Sequence, residues 1–149
     1  MAPFERALAL EPQNIRAMTG LEGALNTRVM LLSSQDPQGD ITRSHEVLDA
    51  VLALQPGNPL AHSEKGWVYS FQRQWGPAIA QAEAAIANDR NSAGDYAEVS
   101  FRKMFLGHSE DGFPGVEKAL RLSPLDPLAR CGNSICATST AISLSGNRR

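Results

Sequence analysis

The segment Gly-His-Ser-Glu-Asp-Gly at residues 107–112 is the stretch of this sequence closest to catalytic machinery. A Gly-x-Ser-x-Gly turn exposes the nucleophilic serine of α/β hydrolases, and His108, Ser109 and Asp111 are the residue types of a catalytic triad. Asp111, however, stands where that turn needs its second glycine, and no strand is predicted before the segment. The three side chains are also too close in sequence to converge. We therefore interpret the segment as a turn between helices, with Ser109 as a capping residue.

Residues that can bind metals or nucleotides are present, but not in binding patterns. The histidines His45, His62 and His108 lie in three different segments without ligand spacing, and the chain has only two cysteines, Cys131 and Cys136. Four converging zinc ligands are therefore not predicted. Neither Gly-x4-Gly-Lys-Ser/Thr nor Gly-x-Gly-x2-Gly occurs, and the acidic residues are scattered singly. We expect no catalytic residues, no metal and no cofactor.

The composition of the chain indicates one globular domain. It has 149 residues, of which 42% are hydrophobic and 20% charged, and a formal net charge of −2. This balance argues against a nucleic-acid partner, which usually requires a basic surface. No apolar run approaches the ~18 residues of a membrane span, and the N-terminus has no signal-peptide pattern. We read the two cysteines as reduced thiols of a cytoplasmic protein.

A short phrase recurs along the chain. The segments "ERALALEPQN", "DAVLALQPGNP" and "VEKALRLSPLDP" each end an alanine- and leucine-rich run with a proline, at Pro12, Pro56 and Pro124. A weaker copy, "EAAIANDRNSAG", places Arg90 midway between the last two prolines. The sequence therefore has a 34-residue period from 57 to 124, preceded by a 44-residue unit. Such a period is typical of helical repeat arrays.

Each unit predicts two helices separated by a short break. In unit 57–90 the helices are predicted over 60–74 and 76–89, with Gly76 and Pro77 where the second helix starts. In unit 91–124 they are predicted over 93–108 and 109–123, with Gly107 ending the first. The 44-residue unit holds about ten extra residues, with a loop predicted at 33–40.

These units resemble the tetratricopeptide repeat (TPR) family. The pattern of its second helix, helix B, is matched in two units by Phe4, Ala7, Pro12, Ala78, Ala82, Ala85 and, imperfectly, Arg90. The small and aromatic positions of its first helix, helix A, fall on Gly66, Ser100, Tyr69 and Tyr96. Departures from the pattern are Glu22, Lys65, Arg90 and Lys103. The resemblance covers about residues 2 to 130 and implies an all-α fold, a right-handed superhelix of helix pairs.

The resemblance also implies how the single domain, residues 1–149, divides. We expect a partial helix B at 2–12, a repeat with an insertion at 13–56, repeats at 57–90 and 91–124, and a partial helix with a tail at 125–149. Neither end supplies the polar cap that repeat arrays need. We therefore expect a piece of a longer protein, and uncapped ends that allow a homodimer.

Two helix A segments present aromatic residues in register. Trp67 and Phe101 are 34 residues apart, and so are Phe71 and Phe105. The resemblance implies that stacked A helices line a concave groove that holds an extended peptide. The residues predicted to bind the partner are Leu60, Ser63, Trp67, Ser70, Phe71, Phe101, Met104 and Phe105. The alternative is that some of them form the core between helices, with Phe71 and Phe105 the stronger core candidates.

The resemblance favours a non-catalytic module that binds a peptide or protein, with no nucleic-acid or membrane partner. The lysine and asparagine pattern with which some family members bind a C-terminal carboxylate is not evident. A looser resemblance, carried by the 44-residue unit with "AHSEKGWV" and "RLSPLDP", is to repeat arrays of bacterial adenylate-cyclase-like or winged-helix regulators. It leaves open an alternative function, a regulatory segment of such a larger protein.

Overall fold

The computed structural model of the chain describes residues 2–107 and 109–125, which form α-helices and no strand. The helices are α1 (Ala2–Leu10), α2 (Ile15–Met30), α3 (Pro37–Leu54), α4 (Pro59–Phe71), α5 (Trp75–Asn88), α6 (Ala93–Phe105) and α7 (Ser109–Leu122). The most extensive packing joins α2 to α3, α4 to α5, and α6 to α7. Contacts of α3 with α4 and of α5 with α6 join these pairs into one array. Cys131, Cys136, His108 and the predicted C-terminal helix lie outside the described residues.

The first helix of every pair begins with the same capping arrangement. The side chains of Asn14, Asn58 and Ser92 each accept a hydrogen bond from the backbone N–H three residues later, which satisfies one of the free donors at a helix start. Each cap lies two residues after the proline of the recurrent phrase or, for Ser92, two residues after Arg90. The turn survives at Arg90, where the proline is missing, because Ser92 N–H still donates to the carbonyl of Asp89.

The helix boundaries correct four details of the sequence prediction, the first being that α4 ends at Phe71 rather than at residue 74. In the third unit α5 begins at Trp75, so Pro77 lies within its first turn, where proline is tolerated. In the fourth, α6 ends at Phe105 rather than at residue 108. In the long unit the loop covers 31–36, because Asp36 accepts a hydrogen bond from Gly39 N–H and caps α3 from there. Much of the insertion instead lengthens the helices: α2 has 16 residues where α4 has 13, and α3 has 18 where α5 has 14.

The alanine stripe of α5 packs where the sequence predicts a close approach of two helices. Ala78, Ala82 and Ala85 are 0% exposed. On the facing helix α4, a Cβ added at Gly66 would lie 3.2 Å from the carbonyl oxygen of Ala78. The larger apolar cluster joins α2, α3 and α4 through residues that include Leu48, which is fully enclosed. No helix in the described part of the chain is long and apolar enough to cross a membrane.

Candidate binding groove

A cavity of about 230 Å³ lies between α4 and α6, at the start of α5. We call it the aromatic cavity; it is lined by Trp67, Ser70, Phe71, Trp75, Glu98, Phe101, Arg102 and Phe105. The structure therefore brings five of the eight predicted binding residues together. Helix α4 supplies Trp67 and, one turn later, Ser70 and Phe71. The end of α6 supplies Phe101 and Phe105.

The rings of the aromatic cavity contact one another in two groups. Trp75 stacks on Phe105 with ring centroids 5.0 Å apart and planes 9° apart, and Phe101 meets Phe105 edge-on at 5.3 Å. Trp67 and Phe71 lie 6.4 Å apart. The interpretation of Phe105 as a core residue is wrong, because 60% of its surface is exposed. Phe71 is half-buried and packs against the larger apolar cluster, so it belongs both to that cluster and to the lining of the aromatic cavity.

Three predicted binding residues do not line this cavity. Leu60 is 52% exposed in the first turn of α4, and Ser63 lies half-buried one turn further on. Met104 faces α7, where its Cγ would be 3.6 Å from a Cβ at Gly112. The four aromatic residues at the 34-residue spacing line the cavity. Leu60, Ser63 and Met104, which were included because they are near them in sequence, do not.

Arg102 holds the wall of the aromatic cavity in place. Its side chain is 3% exposed; Nε donates to Ser70 Oγ at 2.8 Å, and a terminal nitrogen lies 3.0 Å from Glu98 Oε2. The guanidinium lies over the Trp67 ring at 5.4 Å, a cation–π distance. Burial lowers the pKa of Arg102, while Glu98 and Asp95 oppose this shift. Arg102 therefore ties α6 to α4 and fixes the position of Trp67.

A second cavity, of about 290 Å³, lies between α2 and α4. We call it the acidic cavity; it is lined by Gly23, Asn26, Thr27, Met30, Glu64 and Trp67. Trp67 lines both cavities, so they are neighbours on α4. We call the row of two cavities along the first helices of three consecutive pairs, α2, α4 and α6, the candidate groove.

Two carboxyl groups with raised pKa values lie at or beside the acidic cavity. Glu22, one helical turn before Asn26, is 1% exposed, and burial together with the charge of Glu64 raises its pKa to about 8. Burial and Asp95 also raise the pKa of Glu64, against a hydrogen bond that Asn26 Nδ2 donates to its Oε2. Glu22 Oε1 and Asn26 Oδ1 are buried and have no hydrogen-bond partner among the described residues.

Several residues of the groove were not predicted as binding residues. Trp75 has no counterpart in the period, since the residue 34 positions later is Ser109. Glu64, Glu98 and Arg102 carry no motif and are recognised only by their burial. The one available signal was Glu22, an acid at a position where the repeat pattern departs from the family.

The remaining candidate chemistry lies away from the groove. The segment 107–112 lies at the junction of α6 and α7, with Gly107 in the left-handed conformation at φ 84°. His45 contacts Gln72, and His62 contacts Gln81 and the carbonyl of Pro56. Within the described residues no three His, Cys, Asp or Glu side chains are grouped so as to hold a metal ion.

Comparison with solved structures identifies the fold. TTC0263, a thermophilic TPR protein of Thermus thermophilus, superposes with a TM-score of 0.78 at 17% identity, over 91% of this chain and 70% of that one. The chain has the tetratricopeptide repeat fold. MamA gives a TM-score of 0.73 at 17% identity over 93% of this chain and 75% of MamA. The O-GlcNAc transferase of Thermobaculum terrenum gives 0.63 at 22% identity, over 80% of this chain but 22% of the transferase.

These similarities make the array an all-α helical-repeat superhelix of the TPR type. No protein-family model matches the chain, and no curated protein matches it in sequence. At such low identities these neighbours show the fold alone.

Proposed function

We propose that this TPR-fold chain is a non-catalytic protein-interaction module that holds an extended peptide, or an extended segment of a partner protein, in the groove along α2, α4 and α6. The observation that supports this is the aromatic cavity. Five aromatic rings from three helices surround an open volume, and Phe105 exposes 60% of its surface there. Aromatic side chains in partly formed pockets supply most of the energy of many interfaces.

The cavity suits one apolar side chain of the bound segment. Its walls are held by packing and by Arg102, so the groove needs little ordering on binding, which reduces the entropic cost of association. Phe71, Phe101 and Phe105 would contact the apolar side chain of the peptide. Ser70 would keep its hydrogen bond from Arg102, and Trp67 its cation–π contact with the guanidinium. The eight residues predicted from sequence remain candidates, and Trp75 joins them.

Selection of short random peptides displayed on phage tests the proposal. Selected peptides are synthesised and titrated into the chain while tryptophan emission is recorded. Both tryptophans of the chain, Trp67 and Trp75, line the aromatic cavity, so their emission reports directly on its occupancy. The Phe105→Ala variant should bind at least about tenfold more weakly, as expected when an interface anchor is truncated.

A matched control is Leu10→Ala, which removes an exposed apolar side chain, 85% accessible, at the end of α1 and outside the groove. It should leave the affinity unchanged. Selected peptides that bind without changing tryptophan emission, and that tolerate Phe105→Ala, would place recognition elsewhere and refute the proposal.

Further proposals accompany this function. They are the repeat division at residues 12, 56, 90 and 124, a cytoplasmic location, the absence of a nucleic-acid partner, and self-association through the ends of the array. The last is supported by Leu10 and Leu125, which are 85% and 81% exposed near the two ends of the described chain. Light scattering over a range of concentrations tests it, and a mass that stays monomeric throughout would reject it. The regulatory alternative would use the same groove within a longer chain.

A further inference from the structure

The acidic cavity has features that an apolar anchor does not explain. Two buried oxygens beside it, Glu22 Oε1 and Asn26 Oδ1, accept no hydrogen bond from the described residues. Asn26 uses its only donor group, Nδ2, on Glu64, so its Oδ1 is left for an outside donor. Buried acceptors without donors are unfavourable, and in native structures they often mark the place of a missing partner.

The charge around the cavity is also unbalanced. Glu22 and Glu64 are close enough to affect each other, and Asp95 acts on Glu64 from α6. Arg102, a buried cation on α6, is engaged by Glu98 and Ser70. A positive group entering from solvent would therefore meet acceptor oxygens and a cluster of acids that favours positive charge.

We propose that the acidic cavity binds the side-chain cation of a lysine or arginine in the same peptide whose apolar residue fills the aromatic cavity. This inference rests on the proposed function and names the chemistry of its partner. Asn26 Oδ1 and the Glu64 carboxylate accept hydrogen bonds from the cation, and the buried carboxyl group of Glu22 lies behind them. The Trp67 ring contributes a cation–π contact, and Met30 covers the methylene stem.

The two cavities together define a short recognition motif. Because Trp67 lines both, the cation and the apolar side chain both lie beside one indole ring and are close neighbours in the peptide. The groove therefore favours a basic and apolar segment over an acidic one.

The decisive variant is Glu64→Gln, which removes the negative charge and keeps an oxygen to accept the hydrogen bond from Asn26. The matched control is Glu46→Gln, at an exposed carboxylate on α3. Phage selections are run in parallel on the original chain and both variants. Lysine or arginine beside an apolar residue should be enriched on the original chain and on Glu46→Gln. On Glu64→Gln the apolar residue should persist while the basic one loses its enrichment.

A synthetic peptide from the selection gives the quantitative test. Replacing its basic residue by norleucine should weaken binding to the original chain about tenfold or more, since a charge-assisted hydrogen bond is lost. The same replacement should cost about twofold or less on Glu64→Gln. Circular dichroism of each variant checks that helicity is retained, and a second variant, Asn26→Leu, tests the same cavity if Glu64→Gln unfolds.

The outcomes separate the two proposals. If peptides depend on Phe105 but tolerate norleucine on the original chain, the groove stands and the cation site is overturned. If no selected peptide depends on Phe105, the proposed function itself fails. Spermidine, titrated alone, tests for a free polyamine as the source of the cation. Binding as tight as that of the peptide, and abolished by Glu64→Gln, would overturn the peptide as the occupant.

Discussion

Glu22 is the residue at which this array departs most from an apolar repeat core. Glu22 is 1% exposed on α2, and the charge that raises its pKa is that of another acid, Glu64. A buried carboxylate with no cation beside it favours its protonated form, because ionisation in a poorly solvated site is costly. The folded chain therefore carries a proton here at a pH where the unfolded chain does not.

The Glu22→Gln variant should show this proton as a change in the pH dependence of stability. The pKa of Glu22 is about 8 in the fold against an ordinary value of 4.5, so between these values only the folded state holds the proton. The free energy of unfolding then falls as the pH rises, by up to ~1.4 kcal/mol per pH unit, and levels off above the folded pKa. The variant lacks this loss. Its melting temperature should be close to that of the original chain at low pH and exceed it most at high pH.

Thermal melts over a pH series, with Glu46→Gln as the control, check this expectation. Glu46 is exposed on α3, so its variant should follow the original chain throughout. Parallel curves for Glu22→Gln and the original chain would show that Glu22 ionises normally in the fold.

Arg102 makes the opposite case, a buried charge whose partner is present. The Arg102→Met variant leaves the Glu98 carboxylate buried without its cation, and we expect a loss of roughly 3–5 kcal/mol in the free energy of unfolding. The double variant Arg102→Met/Glu98→Met should recover most of this loss. Urea denaturation of the four chains measures the coupling. The surface pair Lys103–Glu83, 3.7 Å apart, is the control and should give less than about 1 kcal/mol; an equal coupling would contradict the buried role of Arg102.

At the scale of elements, the first helix of each pair ends in the same backbone conformation. Leu32, Arg73 and Gly107 have φ of 52°, 57° and 84°, and each is the second residue after α2, α4 or α6. Glycine adopts this left-handed region without strain, whereas a side chain there is unfavourable. The sequence predicted the helix end at Gly107. It could not predict the other two, because packing of the pairs imposes the conformation whatever the residue.

The Leu32→Gly variant should therefore be more stable than the original chain, by ~1 kcal/mol, the cost of left-handed backbone for a residue with a Cβ. Leu32 is 93% exposed, so the loss of its side chain removes almost no packing. The neighbouring Leu31, at φ −85° and 64% exposed, is the control. Leu31→Gly should be neutral or destabilising in urea titrations. If both variants lose stability equally, the conformation of residue 32 carries no strain that glycine relieves.

At the scale of the whole molecule, the parts that repeat were predictable and the parts that do not repeat were not. The helix pairs and the register of Trp67 with Phe101 follow from the recurrent phrase, because every pair must bury the same face. The acidic cavity, and the contacts of Trp75 and Arg102, depend on which side chains of neighbouring repeat units pack against each other. Apart from Glu22, the sequence carries no signal for these contacts between units. The placement of the insertion was missed for a related reason, since a cap at Asp36 outweighed the loop-like composition around it.

The array should open unevenly along its length, and the peptide should stabilise only part of it. Helix α1 has no buried residue and packs mainly on α2, whereas α4 and α5 pack on helices at both sides. In a repeat array each unit is stabilised by its neighbours, so end helices open first. Hydrogen exchange followed by mass spectrometry should show the fastest backbone exchange in α1 and the slowest in α4 and α5. A saturating selected peptide should slow exchange in α2, α4 and α6, which line the groove, and leave α1 unchanged. Protection of α1 by the peptide, equal to that of α4, would place the bound segment across the end of the array instead of along the groove.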